Sequence, residues 1–296
     1  MKYNIALVGY GKWGKVLANQ INNSKYFNLV GIISSLNLKK NSKINSYKNF
    51  SSLIKNEKVE CIYVAKDPST NFSILKEIID YKLPIIFEKP LCLNSKSCLN
   101  IIKIVEKLKI ISFTNLPNIF SDTYNKTQKF IKLNEKNIKR IIIFEGGNGP
   151  FRDRINPIFD WGIHPLTYVF GIYDRITLKK IKYNRIINSK IKNIKVARIE
   201  IPINNKLKIK VLTGNGFKIK TRILKIILNN GDIFINDFIN HRLLLNNKVI
   251  FKSQTKPLDN LLVKFAKSIK NNKNTEGLKT IYQSYKSIQI LEKIDK

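Results

Sequence analysis

The sequence has 296 residues, a length that predicts about two domains at roughly 100–200 residues each. Hydrophobic residues make up 43% of the chain and aromatic residues 10%, which is enough to build packed cores and excludes a disordered polymer. The net charge of +34 is typical of proteins that bind nucleic acids or anionic membranes. The lysines are mixed with asparagine and isoleucine along nearly the whole chain, however, so we attribute the charge to overall composition and expect no specific nucleic-acid surface.

The cysteines and the apolar runs predict where the protein resides. Cys61, Cys92 and Cys98 lack the spacing of metal ligands, and three cysteines cannot all pair with one another. We therefore expect free thiols in a reducing cytoplasm and no metal site. The first apolar run ends at Gly9, too early for a secretory signal, and no run approaches the ~18 apolar residues of a membrane span.

The first third of the chain alternates between short apolar runs and helical patterns. The predicted strands are Asn4–Val8, Leu29–Ser34, Cys61–Ala65, Ile85–Phe87 and Ile110–Thr114. The predicted helices are Lys12–Asn22, Ser51–Lys55, Ser73–Tyr81 and Ser95–Leu108. This alternation predicts an α/β arrangement, in which a parallel sheet carries helices on both faces.

The pattern changes after about Leu116, where one predicted helix, Thr123–Leu133, precedes a series of strand-like runs. These runs are Lys139–Glu145, Thr177–Tyr183, Lys195–Ile203, Lys206–Leu212, Lys218–Leu228 and Asp232–Asn236. Consecutive strands joined by turns such as residues 214–216 (GNG) predict a mostly antiparallel sheet. The segment from Leu258 to Asp295 is again helical in pattern, so the second half is predicted to be α+β.

The segment from Gly9 to Gly14 reads G-Y-G-K-W-G, a G-x-G-x-x-G motif that follows a predicted strand and opens a helix. In this motif the first glycine permits a tight turn, Gly11 lets the backbone approach a pyrophosphate, and Gly14 lets the helix pack closely on the strand. The helix N-terminus offers N–H groups and partial positive charge to the phosphates. We therefore predict a dinucleotide-binding site that includes Lys12 and Trp13.

The motif completes the predicted domain organisation. Residues 1–118 are expected to form a dinucleotide-binding Rossmann domain. Residues 119–296 are expected to form an α+β domain for substrate binding and oligomerisation, with a large, mostly antiparallel sheet. The C-terminal helices could pack back on the first domain.

The end of the second predicted strand bears on the choice between NAD and NADP. An acidic residue at this point usually holds the ribose 2′-hydroxyl of NAD. This sequence has Ser34 and residues 35–37 (SLN) there, followed by Lys39 and Lys40. Without a carboxylate nothing repels a 2′-phosphate, and Ser34 or either lysine could bind one. The pattern favours NADP over NAD, although the lysines could equally be solvated loop residues.

Further motifs follow in a fixed order along nearly the whole chain. They are residues 64–71 (VAKDPSTN), 88–90 (EKP), 146–150 (GGNGP), 160–164 (DWGIH) and 257–258 (PL). Together with the glycine motif, this set resembles the Gfo/Idh/MocA family of oxidoreductases, which includes inositol dehydrogenases and nucleotide-sugar dehydrogenases. The resemblance implies a Rossmann domain joined to a larger sheet domain, whose open face often makes oligomer contacts.

The resemblance also implies roles for individual residues. Further cofactor contacts are expected from Pro68, Asn71, Glu88 and Lys89. An alcohol–ketone hydride transfer needs one group that takes or returns the hydroxyl proton and another that stabilises the substrate oxygen. His164 can serve as the first, since imidazole titrates near neutral pH, and Lys89 as the second.

Two residues near His164 are expected to contact the substrate. Asp160 lies four residues before His164, so a helical turn would place both on one face, where Asp160 contacts substrate or orients the imidazole. Alternatively, Pro165 makes the helix begin close to His164 and leaves Asp160 in a preceding turn. Arg152 could bind a carboxylate or phosphate of the substrate, or belong to a solvated loop.

The sequence departs from the family pattern at three positions. Asn71 stands where a histidine is common, and Pro165 and Thr167 stand where acidic residues often follow the histidine. The leading interpretation is an NAD(P)-dependent dehydrogenase or reductase that acts on a CH–OH group of a sugar, cyclitol or nucleotide-linked sugar, assembled as a homo-oligomer. The alternatives are a non-catalytic dinucleotide-sensing protein and, last, a basic nucleic-acid-binding protein.

Overall fold

A computed structural model of the chain describes residues 2–34, 44–151, 155–189 and 193–295. It divides into two compact units, each formed from two stretches of chain. Unit 1 contains Met1–Asn115 and Leu261–Tyr285, and unit 2 contains Leu116–Asn260 and Lys286–Lys296. Within the described ranges no helix combines the length and the hydropathy that a membrane crossing requires.

Unit 1 is built on a six-stranded parallel sheet. Its strands are β1 (Tyr3–Val8), β2 (Phe27–Ile33), β3 (Asn45–Tyr47), β4 (Cys61–Val64), β5 (Ile85–Phe87) and β6 (Ser112–Thr114). They lie in the order β3-β2-β1-β4-β5-β6, which is the strand order of a Rossmann fold. The inner strands β4 and β5 are apolar and buried along their whole length, as parallel strands covered on both faces must be. The predicted α/β Rossmann fold is confirmed.

Helices accompany both sheets. They are α1 (Lys12–Asn22), α2 (Phe50–Asn56), α3 (Asn71–Ile78), α4 (Ser95–Lys107), α5 (Asp122–Asn134), α6 (Pro157–Ile172), α7 (Pro257–Asn271) and α8 (Thr275–Asp295). Asparagine or serine side chains cap the N-termini of α2, α4, α5 and α6 by accepting a backbone N–H. The N-terminus of α1 has no such side-chain cap, because Gly11 occupies the capping position.

Unit 2 is built on an eight-stranded sheet in the order β14-β13-β12-β11-β7-β10-β9-β8. The strands are β7 (Ile138–Asn148), β8 (Lys182–Ser189), β9 (Ile194–Pro202), β10 (Lys208–Gly214), β11 (Gly216–Leu228), β12 (Ile233–Asp237), β13 (Arg242–Leu245) and β14 (Lys248–Lys252). Every neighbouring pair is antiparallel except β7 and β10. The predicted mostly antiparallel sheet is therefore confirmed.

Two local expectations for unit 2 were wrong. The consecutive strands β10 and β11 do not pair across the turn at residues 214–216, because β7 lies between them and pairs with both. The predicted strand Thr177–Tyr183 is instead a short 3-10 helix at Leu178–Lys180, and the strand begins at Lys182. Local turn hydrogen bonds, such as that from the Lys180 N–H to the Thr177 carbonyl at 3.0 Å, satisfy this backbone.

Side chains cap the exposed edge of the unit 1 sheet at β6. The Ser112 N–H donates to Asn274 Oδ1 at 3.0 Å, and Asn274 Nδ2 donates to the Ile110 carbonyl at 2.7 Å. The Thr114 N–H donates to the Thr280 hydroxyl at 2.8 Å. An edge strand otherwise presents unpaired backbone groups, so Asn274 and Thr280 replace the missing neighbouring strand.

The substitution Asn274→Ala is therefore expected to lower the free energy of unfolding by about 1–3 kcal/mol, since it leaves buried backbone groups of β6 unsatisfied. Chemical denaturation of the purified variant measures this change. Asn271→Ala, which removes an exposed asparagine side chain near the end of α7, is the matched control and should be close to neutral. Equal stabilities of the two variants would contradict the edge-capping role.

Candidate functional site

The glycine motif forms the turn between β1 and α1, as its position in the sequence predicted. Gly9 has φ +99°, and a Cβ built on it would come within 2.4 Å of the Ala65 carbonyl oxygen. A Cβ built on Gly14 would come within 2.3 Å of the Gly9 carbonyl oxygen. Glycine is thus required at the first position for conformation and close approach, and at the last for packing of α1 on the turn.

The middle glycine faces open space. A Cβ built on Gly11 would meet no heavy atom within 4 Å, and its φ of −71° is one that any residue adopts. Lys12 and Trp13, the next two residues, are exposed. The uncapped first turn of α1 therefore has open space beside Gly11, which suits the approach of an anionic group such as a pyrophosphate to the helix N-terminus.

A buried carboxylate lies at the strand ends of unit 1. Glu88, the residue after β5, is 8% exposed. Its carboxylate accepts hydrogen bonds from the Tyr63 hydroxyl at 2.9 Å and from Asn115 Nδ2. A longer contact of 3.3 Å comes from the backbone N–H of Lys89. Burial raises the pKa of Glu88, while these hydrogen bonds and the charge of Lys89 oppose the rise.

The remaining cofactor residues predicted in unit 1 lie after the carboxyl ends of neighbouring strands. Ser34 follows β2 and is buried, and Pro68 lies buried in the segment after β4. Asn71 begins α3, is fully buried, and donates from Nδ2 to the Leu91 carbonyl at 2.8 Å. Lys89 follows Glu88 and is half-buried. Because the carboxyl ends of parallel strands share one edge, the structure brings these residues to the same edge as the glycine turn.

Two residues at this edge were missed from the sequence. Tyr63 lies within the apolar run of β4 and carries no local sign of a polar role. Burial, followed by the neighbouring charge of Glu88, raises its pKa well above the ordinary value. Asn115 directly follows β6, and a polar residue at the end of a predicted parallel strand was a usable signal.

In unit 2, helix α6 carries both Asp160 and His164. The helix begins at Pro157 behind the cap residue Asn156, whose side chain accepts the Ile158 N–H at 2.9 Å. Asp160 therefore lies within the helix, one turn before His164, and the alternative that placed it in a preceding turn is wrong. Asp160 is half-buried and His164 is 5% exposed.

A buried charged network anchors α6 on the sheet of unit 2. Glu145 on β7 is fully buried, and its carboxylate lies 2.9 Å from Arg222 Nε on β11. The Tyr168 hydroxyl donates to the same carboxylate at 3.3 Å, and the Arg222 guanidinium lies 5.4 Å from the centre of the Trp161 ring. Since Trp161 and Tyr168 both belong to α6, these contacts hold the helix that carries His164. No local sequence pattern indicated this network.

The three departures from the family pattern are all buried. Asn71 bonds the Leu91 carbonyl, and the Thr167 hydroxyl donates to the His164 carbonyl at 2.7 Å. Pro165 lies inside α6. Other residues considered for binding, namely Arg152, Lys39 and Lys40, lie outside the described residues. In the described part of the chain, no group of three or more His, Cys, Asp or Glu side chains is placed to hold a metal ion.

Comparison with known proteins agrees with this arrangement. Residues 3–116 match the family model GFO_IDH_MocA, described as an oxidoreductase family with an NAD-binding Rossmann fold. The resemblance to the Gfo/Idh/MocA family is confirmed for these residues. No curated protein matches the sequence.

Solved structures with the same fold match the chain beyond the Rossmann unit as well. A putative oxidoreductase from Magnetospirillum magnetotacticum has a TM-score of 0.83 at 16% identity, with 99% of each chain covered. UDP-N-acetylglucosamine 3-dehydrogenase from Acidithiobacillus ferrooxidans has a TM-score of 0.80 at 13% identity, covering 99% of this chain and 97% of that chain. Scyllo-inositol dehydrogenase from Lactobacillus casei, with bound NAD(H) and scyllo-inositol, has a TM-score of 0.78 at 12% identity, covering 100% and 96%. At these identities the likeness shows a shared fold.

Proposed function

We propose that this protein is an NAD(P)-dependent dehydrogenase or reductase that acts on a CH–OH group of a sugar, cyclitol or nucleotide-linked sugar. The observation that carries the proposal is the open space before Gly11 at the uncapped N-terminus of α1. It lies within residues that match an NAD-binding oxidoreductase family. Two buried amide oxygens at the same edge of the sheet, Asn71 Oδ1 and Asn115 Oδ1, lack a hydrogen-bond donor within the described residues, and a bound ligand would supply donors.

NADP is the proposed preferred cofactor. Ser34 follows β2, and neither it nor the polar strand β3 presents a carboxylate to the ribose 2′-hydroxyl. In this proposal the glycine turn with Lys12 and Trp13 holds the pyrophosphate side of the dinucleotide. Pro68, Asn71, Glu88 and Lys89 line the rest of the cofactor site.

The residues proposed for catalysis handle the substrate oxygen and its proton. A nicotinamide bound in this site would supply the hydride acceptor for oxidation of the substrate CH–OH group to a carbonyl, and the hydride donor for the reverse reaction. His164 takes the hydroxyl proton on oxidation and returns it on reduction. The Lys89 ammonium stabilises the negative charge that develops on the oxygen. Asp160 contacts the substrate or orients His164.

The proposed substrate class follows two dehydrogenases with the same fold, UDP-N-acetylglucosamine 3-dehydrogenase and scyllo-inositol dehydrogenase. The net charge of +34 attracts anions and so favours an anionic, nucleotide-linked sugar. Arg152 is the proposed contact for its phosphate or carboxylate. Cys61, Cys92 and Cys98 are buried thiols that form no disulfide with one another, which is consistent with a reducing cytoplasm.

Turnover of a substrate panel tests the proposal. UDP-N-acetylglucosamine, scyllo-inositol, myo-inositol and an aldose are each incubated with NAD⁺ and NADP⁺, and the absorbance of the reduced nicotinamide is followed. We expect turnover of at least one polyol, faster with NADP⁺. Binding of the dinucleotide without turnover of any alcohol, or of the matching ketones with reduced cofactor, would contradict the proposal.

That contradictory outcome would favour the second candidate, a dinucleotide-sensing protein without catalysis. The observation behind it is that Asn71 and Thr167 use their side chains for contacts inside the protein, at positions where the family pattern has ionisable residues. A sensing protein would bind the dinucleotide as tightly as an enzyme, yet its function would not depend on Lys89.

A homo-oligomer is proposed from the open face of the unit 2 sheet. Its inward residues are buried, whereas the alternating residues are more exposed. They include charged side chains such as Lys210 and Lys225 and the half-buried apolar side chains of Ile142, Phe144, Leu212, Ile223 and Ile235. A half-exposed apolar sheet face is stabilised by a second copy that covers it. Sedimentation equilibrium should then give a mass that is a multiple of 34.3 kDa, and a monomer would contradict the assembly.

A further inference from the structure

Asn115 is held at the carboxyl end of β6 through both its backbone and its side chain. Its backbone N–H donates to the Phe87 carbonyl at 2.7 Å, which continues the pairing of β6 with β5 by one residue. Its side-chain Nδ2 donates to Glu88 Oε1. Glu88 is tied to the next strand in turn, since its backbone N–H donates to the Val64 carbonyl at 2.9 Å. The Asn115 amide therefore lies in a fixed position against the Glu88 carboxylate.

The Glu88 carboxylate determines which way round the Asn115 amide lies. An amide side chain has a donor end and an acceptor end, whereas an ionised carboxylate only accepts hydrogen bonds. Asn115 must therefore turn Nδ2 toward Glu88 and Oδ1 away from it. The single hydrogen of the Tyr63 hydroxyl is donated to the same Glu88 Oε1, at 2.9 Å, and so does not serve Asn115 Oδ1. The end of β6 thus presents a hydrogen-bond acceptor.

Asn115 Oδ1 is an acceptor that the described part of the chain leaves unsatisfied. The residue is 2% exposed, and none of the described residues donates to this oxygen. Buried polar atoms in native proteins nearly always have a hydrogen-bond partner, so Oδ1 needs a donor from outside the chain. The donor is then either a water molecule or a bound ligand.

The strand order indicates which part of a dinucleotide lies near Asn115. A Rossmann sheet has two mononucleotide-binding halves, here β3-β2-β1 and β4-β5-β6. The first half holds the glycine turn and the strand end at Ser34 that faces the adenosine ribose. Tyr63, Glu88 and Asn115 all belong to the second half, which is left for the nicotinamide mononucleotide. The nicotinamide carboxamide carries two N–H donors, which match the unsatisfied acceptor.

We propose that Asn115 recognises the nicotinamide carboxamide, with Oδ1 accepting one of its N–H groups, and that Glu88 is a positioning residue that holds the Asn115 amide in this orientation. This inference rests on the proposed function of unit 1 as a nicotinamide-dinucleotide domain. It gives the two charged residues of the E-K-P motif different tasks, since Lys89 acts on the substrate oxygen and Glu88 orients Asn115.

A cofactor analogue without these donors tests the inference. In 3-acetylpyridine adenine dinucleotide phosphate a methyl group replaces the amide nitrogen, so the carbonyl stays and the N–H groups are lost. Isothermal titration of the full-length chain should give a Kd for the analogue roughly tenfold above that for NADP⁺, because the buried acceptor loses its donor. In Asn115→Ala the ratio of the two Kd values should fall to about one. An unchanged ratio in this variant would overturn the inference.

Two substitutions of Glu88 test the positioning role. Both side-chain bonds to Glu88 end on Oε1, and a glutamine oxygen can accept both, so Glu88→Gln should keep the roughly tenfold ratio. Glu88→Leu removes the acceptor, which frees the Asn115 amide to turn either end toward the ligand, and the ratio should fall toward one. A ratio that falls in both variants, or in neither, would remove the positioning role of Glu88.

Asn71→Ala is the matched control. Asn71 has a similar arrangement at the same edge of the sheet, since its Nδ2 donates to the Leu91 carbonyl at 2.8 Å and its buried Oδ1 has no donor among the described residues. General loosening of the site raises both Kd values by the same factor, so Asn71→Ala should leave the ratio near ten. Loss of the ratio in Asn71→Ala and not in Asn115→Ala would place the carboxamide at Asn71 and overturn the inference.

The outcomes separate this inference from the proposed function. If the wild-type chain binds neither NAD(H) nor NADP(H), the proposed function is wrong and the role of Asn115 falls with it. If the wild-type chain binds NADP⁺ and the analogue equally well, the role of Asn115 alone is wrong. Thermal unfolding of each variant identifies misfolding, and Asn115→Leu, which keeps the size of the side chain, takes the place of Asn115→Ala if that variant fails to fold.

Discussion

Replacement of Gly11 by valine is expected to abolish dinucleotide binding while the protein stays folded. A Cβ at this position meets no protein atom within 4 Å, and the backbone conformation suits any residue, so the free energy of unfolding should hardly change. The side chain would instead occupy the space in which a pyrophosphate approaches the N–H groups of α1. Loss of two hydrogen bonds to a charged group, at about 1.5–3 kcal/mol each, raises Kd by roughly a hundredfold or more.

Gly14→Ala is the matched control for this prediction. Its added Cβ would lie 2.3 Å from the Gly9 carbonyl oxygen, so α1 must move away from the turn. Overpacking of this kind typically costs about 1–3 kcal/mol, and we expect the unfolding midpoint to fall. Isothermal titration with NADPH and thermal unfolding, applied to both variants, separate binding from packing. A Gly11→Val variant that binds NADPH like the wild type would contradict the proposed cofactor position.

Replacement of Lys89 by methionine is expected to lower kcat by about 10²–10³, a much larger effect than the accompanying rise in the Kd for the dinucleotide, whose site Lys89 also lines. Methionine keeps the length of the side chain but removes the ammonium that stabilises the substrate oxygen, and loss of one such stabilising group typically costs this factor. The measurement is steady-state turnover of the best substrate in the panel, together with a cofactor titration of the same preparation.

Lys96→Met is the control for the charge itself. Lys96 lies exposed in the first turn of α4, and its loss removes the same positive charge from the same unit. Only Lys89→Met should reduce kcat if the role is local, whereas similar effects of both variants would indicate general attraction of an anionic substrate. An unchanged kcat in Lys89→Met would remove Lys89 from the proposed catalytic group.

The fold was predictable where local patterns and tertiary pairing agree. The helix Lys12–Asn22 and the strand Ile85–Phe87 were predicted with the bounds that the structure has. Both are short elements between clear turn signals, and the strand is buried along its whole length as its apolar run implies. The strand Asn45–Tyr47 was missed because it is polar, and it forms only through pairing with β2 at the edge of the sheet.

The unpredicted parts of the fold depend on contacts between distant segments. The turn at residues 214–216 suggested that its flanking strands pair, but β7 from earlier in the chain lies between them. No local sequence pattern indicates that a strand from elsewhere in the chain lies between two consecutive strands. Similarly, the capping of β6 joins Ser112 to Asn274, and the sequence around either residue does not predict this contact.

The candidate site likewise has one part that local sequence predicts and another that depends on contacts between distant segments. The glycine turn was predictable because each glycine of the motif allows a close approach to the backbone, and the spacing of the glycines is visible in the sequence. The bonding of Glu88 to Tyr63 and Asn115 was not, since it joins residues that the folded sheet alone brings together.

Isothermal titration of the full-length chain with NADPH and with NADH tests the central claim most directly. We predict saturable binding at one site per chain, tighter for NADPH because no carboxylate follows β2 at Ser34. Tighter binding of NADH would preserve the dinucleotide site and contradict the NADP preference. Absence of binding of either dinucleotide to the folded protein would contradict the proposed oxidoreductase function itself.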